Sequence, residues 1–116
     1  MSRIVMLLAS GPGFPEGNVS DRIEVQAGLT GHGHIDDVAY ADDPSPWTAR
    51  RTTPNGRVYF GELIRLEAGW AIRRTGSEDD PVWPFEPIIL RPGEYATIHS
   101  PAGDELIYRI VSVDQD

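Results

Sequence analysis

The sequence predicts an all-β domain, a small sandwich or partly open barrel built from hairpins. Three observations carry this reading. Near the C-terminus, Tyr95, Thr97 and His99 alternate with Ala96 and Ile98, and Leu106, Tyr108 and Ile110 alternate with Ile107 and Arg109. Two period-two runs separated by the turn-forming Ser100-Pro101-Ala102-Gly103-Asp104 read as a β-hairpin. Pro54-Asn55-Gly56 marks a second hairpin, because Asn-Gly favours the positive φ angles of tight turns. Finally, 12 Gly and 10 Pro are spread over 116 residues, which leaves only short extended runs between turns.

Taken in order, residues 3–9 form a first strand, apolar throughout its core and therefore buried on both faces. A loop over 10–20 follows. In the second strand, 22–27, Ile23, Val25 and Ala27 face inward while Arg22, Glu24 and Gln26 face water. Residues 28–46 are the least regular stretch. A third strand covers 47–53 and returns from Arg57 through Val58 and Phe60. Gly61-Glu62 signals a bulge or break. Leu63, Ile64 and Leu66 do not alternate strictly, so an α+β alternative places one short helix near 60–68. Glu67-Ala68-Gly69 turns the chain into a strand at 70–75. The acidic tip at 76–81 is expected to be exposed. Residues 82–87 carry too much proline for a central strand, whereas 88–90 can form one. No repeat or long linker divides the chain, so residues 1–116 are read as a single domain.

Composition bounds the function. There is no cysteine, which excludes a disulfide framework, thiolate metal sites and a cysteine nucleophile. The apolar run after Arg3 is too short for a signal peptide and leads into Gly11-Pro12-Gly13-Phe14-Pro15 instead of a cleavage pattern. No stretch approaches the ~20 apolar residues of a membrane helix. These features predict a cytoplasmic protein with no membrane partner. The net charge is −8, which disfavours nucleic acid as a partner. Within this acidic chain, residues 50–74 hold six Arg against two Glu, and there is no Lys.

That arginine island is the first candidate site. Arg50, Arg57, Arg65 and Arg73 can gather near one face and bind an anionic small molecule or an acidic peptide. The competing reading is exposed pairing with Glu62, Glu67 and the acidic loops, which contributes little energy. Trp47 and Trp83, both beside prolines, can stack on a sugar or peptide or can plug a small barrel. In the third candidate, His32 and His34 lie two apart on an extended segment and point the same way. Asp36 or the distant His99 can complete a divalent-metal site. The His-x-His spacing resembles the first motif of the cupins. Val38 and Ala39 stand where that motif has its Glu, and His99 comes too late after Pro92-Gly93 for the second motif, so the chain is not assigned to that family. The loop at 11–17 has no Gly-Lys-Ser/Thr and is read as a plain connection. No serine lies in a Gly-x-Ser-x-Gly context.

The function expected from these residues is a binding or assembly module, homo-oligomeric through contacts between acidic segments and the arginine island. It would recognise an anionic ligand or acidic partner. The alternatives are a metal-dependent small-molecule enzyme or sensor using His32, His34, Asp36 and His99, and a carbohydrate- or peptide-binding β-domain.

Overall fold

The computed structural model describes residues 1–67, 69–75, 81–86 and 89–115. Eight strands follow in chain order: β1 (Ser2–Ser10), β2 (Asn18–Ala27), β3 (Trp47–Thr52), β4 (Val58–Leu66), β5 (Gly69–Arg74), β6 (Val82–Phe85), β7 (Tyr95–His99) and β8 (Glu105–Gln115). A short helix, α1 (Asp37–Asp42), lies between β2 and β3. Each strand pairs antiparallel with the next, and β8 pairs back onto β1, closing a barrel. The all-β expectation holds, and of the sandwich and the partly open barrel the chain comes nearer the second, its barrel being closed.

The alternation seen in sequence sets which side chains fill the interior. Ile23, Val25 and Ala27 on β2, Ala96 and Ile98 on β7, and Leu106, Tyr108 and Ile110 on β8 are buried in one cluster with Ile4, Met6 and Leu8 of β1. Each large aliphatic side chain so buried contributes about 1.5–3 kcal/mol. The intervening positions Arg22, Arg50 and Arg109 are exposed. Among the described residues no helix is long and apolar enough to cross a membrane.

Several local expectations are corrected. The helix near 60–68 is not formed, because residues 58–66 are the continuous strand β4. Its register runs without a shift from Trp47↔Leu63 to Thr52↔Val58 on one side and from Gly61↔Arg74 to Leu66↔Gly69 on the other. Gly61 therefore marks neither a bulge nor a break. A Cβ there would sit 2.7 Å from the Arg73 carbonyl oxygen, so glycine answers to a close backbone approach. The helix that exists starts at Asp36, whose carboxylate accepts from the N–H groups of Val38 and Ala39 as an N-cap. The loop expected over 10–20 is shorter, since β1 runs to Ser10 and β2 begins at Asn18.

The Pro54-Asn55-Gly56 turn is built differently from a two-residue Asn-Gly turn. Only Gly56 has positive φ, at 86°, and its N–H donates to the Thr53 carbonyl while Thr53 N–H donates to that of Arg57. Ser100-Pro101-Ala102-Gly103-Asp104 repeats the construction, with Gly103 at φ 93°. Both are proline-led turns followed by a left-handed glycine.

The proline-rich stretch at 82–87 does supply a strand inside the barrel, contrary to expectation. β6 pairs with β5 over four residues but, among the described residues, meets β7 only at Phe85↔Ile98. Pro84 brings no N–H to a ladder, so among the described residues this seam is thin. The strand expected at 88–90 is not seen at Ile89 and Leu90, which are irregular. Pro87, Ile88, Ala68 and the tip at 76–80 lie outside the described residues. Amide exchange followed by mass spectrometry is expected to be faster in β6 than in any other strand. Protection in β6 equal to that of β1 would show that the seam is closed in solution.

Candidate ligand-binding site

The meander gives the barrel two different ends. At one end lie the β2–β3 and β6–β7 connections. There α1 turns Tyr40 onto two tryptophans, edge to face, with ring centroids 5.1 Å from Trp47 and 5.0 Å from Trp70. The Tyr40 hydroxyl donates to the Leu63 carbonyl at 3.1 Å, and the Trp47 indole N–H donates to Asp43 at 2.8 Å. That indole contact, with the Ser45 N–H, holds the Asp43 carboxyl below its ordinary pKa. The segment before α1 is tied down as well, since Leu90 N–H donates to the Gly33 carbonyl and Arg91 donates to that of His32. This end is plugged.

The opposite end carries the β3–β4 and β7–β8 turns, and it is hollow. A cavity of about 350 Å³ opens there. Its walls include the inward positions Ile23, Ala49, Ile72 and Ile98, with Tyr59, Trp83, Arg51 and Arg74 nearer the mouth and Phe60 on the rim. The void has a cause in the sequence. Ala49 and Gly61 are partners across β3 and β4, so two adjacent inward positions carry almost no side chain. Three arginines line the cavity and, among the described residues, no carboxylate does.

Behind the wall is a polar latch. Arg51 Nε and Nη2 donate to the two carboxylate oxygens of Asp21 at 3.2 and 2.9 Å, and the Tyr108 hydroxyl donates to the same carboxylate at 2.9 Å. Asp21 is 2% exposed. The Arg51 guanidinium also lies 5.3 Å from the centre of the Trp83 ring. One network thus joins β2, β3, β6 and β8. Burial, joined by the Asp21 charge, raises the Tyr108 pKa far above that of a free phenol, so its hydroxyl stays a donor. Burial works against the Arg51 charge, but the Asp21 hydrogen bonds and charge outweigh it and its pKa is raised. Among the described residues, nothing accepts from Arg51 Nη1, which leaves donors of the fork uncommitted at the cavity wall.

The predicted site residues separate. Arg50 lines the cavity rim but pairs with Glu24 on the barrel exterior. Burial opposes ionisation of Glu24, yet Arg22 and Arg50 together lower its pKa. Arg73 pairs with Glu62 at 2.5 Å across β4 and β5. Arg65 belongs to the plugged end, over Trp70 and in contact with Asp37 and the Gly69 carbonyl. Arg57 follows the β3–β4 turn. The island is therefore not one face. Trp47 is a core residue of the plug, and Trp83 lines the cavity.

The histidines do not meet. His32 and His34 are exposed beside the plugged end, with their backbone N–H groups donating to the Thr30 hydroxyl, and Asp36 is engaged as the helix cap. His99 ends β7 at the open end, opposite Glu105. Among the described residues, no group of three or more His, Asp or Glu side chains is placed to hold a metal ion.

Fold and cavity together define a closed antiparallel barrel with one plugged end and one open, arginine-lined end. Comparison with known proteins returns no matching family model, no matching curated protein and no matching solved structure.

Proposed function

We propose that this chain is a binding module that takes a small amphipathic anion into the open end of its barrel. The observation that carries this reading is a cavity of about 350 Å³ with apolar walls and, among the described residues, three arginines and no carboxylate in its lining. Ligand pockets share this chemistry, mostly apolar walls with a few fixed polar groups. Arg51 is the anchor. Its bidentate contact with Asp21 fixes its fork before any ligand arrives, so little side-chain freedom is lost on binding. The donors left over can bond a carboxylate or sulfonate, a charge-assisted interaction that contributes about 1.5–3 kcal/mol.

The test is a fluorescence titration with anilinonaphthalene sulfonate, a ring-bearing anion whose emission rises in apolar surroundings. Saturable one-to-one binding is expected. Ala49→Leu fills the void from its wall and is expected to weaken binding about tenfold or more, with the melting temperature held or raised. Equal binding by Ala49→Leu, or none by the parent protein, would overturn the proposal.

A further inference from the structure

Resting on that reading, we infer that the anion is a planar aromatic carboxylate of one or two rings, and not a flexible aliphatic acid. The inference starts from how Arg51 is held. A guanidinium engaged through Nε and Nη2 with both oxygens of one carboxylate is coplanar with it, and Asp21 sets that plane. A second carboxylate accepting from the remaining Nη1 and Nη2 donors lies in the same plane. A ring conjugated to that carboxylate is coplanar too, so a flat acid continues the plane of Arg51 into the cavity without bending.

The walls suit such a plate. Both inward arginines at the mouth lie over aromatic faces, Arg51 over Trp83 at 5.3 Å and Arg74 over Tyr59 at 5.9 Å. Phe60 stands 62% exposed on the rim, an apolar ring left in water that an occupant of the mouth would cover. Three aromatic side chains around one opening reward a flat π-system with offset or edge contacts that an aliphatic chain cannot make. Size agrees as well. At about 30 Å³ for each water displaced, a cavity of about 350 Å³ takes on the order of a dozen non-hydrogen atoms. A rigid ligand also loses fewer torsions on binding than a chain of equal volume.

The experiment is calorimetric titration of the full chain with 2-naphthoate, with decanoate of similar size and charge, and with neutral 2-naphthalenemethanol. It is repeated on Trp83→Leu, which keeps apolar volume but removes the ring. Naphthoate is expected to bind about five- to tenfold tighter than decanoate, and Trp83→Leu to erase that preference by weakening naphthoate far more than decanoate. The melting temperature of Trp83→Leu confirms that the variant is folded, and Tyr59→Leu serves as a second variant if it is not. Decanoate binding as tightly as naphthoate overturns the aromatic inference but leaves the amphipathic-anion reading standing. Naphthalenemethanol binding as tightly as naphthoate, or no binding by either acid, overturns the anion reading itself.

Discussion

Replacing Asp21 with alanine is expected to destabilise the barrel by about 3 kcal/mol. Removing one partner of a buried ion pair typically costs 3–5 kcal/mol, because the other charge is left without compensation. The lower end applies because Arg51 keeps 25% of its side chain in water and can rehydrate in part. Tyr108 adds to the loss, since its buried hydroxyl then has no acceptor. Urea unfolding measures the effect directly. An Asp21→Leu/Arg51→Met double variant is expected to recover most of it, as apolar replacement of a whole buried pair often does. That variant would also lose anion binding, which separates the two duties of the latch. If Asp21→Ala unfolds within about 1 kcal/mol of the parent, the pair behaves as a surface salt bridge and Arg51 is not fixed by it.

This latch shows where sequence reading stops. Alternation is plain where one strand face is polar, as in Arg22, Glu24 and Gln26 against Ile23, Val25 and Ala27. It extends one step further than the polar face suggests: Asp21 lies on the inward parity with Ile23, just as Arg51 lies on the inward parity with Ala49. Two opposite charges on the inner faces of neighbouring strands are a legible signal. What the sequence lacks is the register that opposes them, and a one-residue slip exchanges Arg51 for Arg50. The arginine island was visible as composition, but its members divide between the exterior, the plug and the cavity through strand parity and barrel closure. β4 was ambiguous for a different reason. Leu63 packs inside while Ile64 and Leu66 are half-buried on or near the other face, so apolar residues occur on both sides and no period stands out. β6 is hard to read because its prolines argue against a fully paired strand, whereas among the described residues its ladder with β7 is a single register pair.

The two ends of the barrel divide stability from binding. At the plugged end, Tyr40 meets Trp47 and Trp70 edge to face and fixes α1 over the barrel. At the open end, Ala49 and Gly61 leave space and the aromatic residues face the mouth. Neighbouring barrel positions could be filled without polar cost, so the void is a departure from close packing of the kind found where a ligand completes the core.

Trp47→Ala should accordingly be the second large effect, a loss of about 3–5 kcal/mol on truncating a large aromatic in a packed core. Trp47 is 2% exposed, and its removal takes the Tyr40 ring contact and the bond to Asp43 with it. The Asp43 carboxylate is only half-buried, so it rehydrates and adds little. Trp47→Phe keeps most of the apolar volume and is expected to cost about half as much or less. Thermal unfolding of the two variants measures this order. Binding supplies the sharper test, because Trp47 was as good a ligand-stacking candidate in sequence as Trp83. Trp47→Phe is expected to bind 2-naphthoate with unchanged affinity, since the plug and the cavity lie at opposite ends. If Trp47→Phe weakens binding as much as Trp83→Leu does, the plug and the mouth are coupled through the core, and α1 belongs to the binding site.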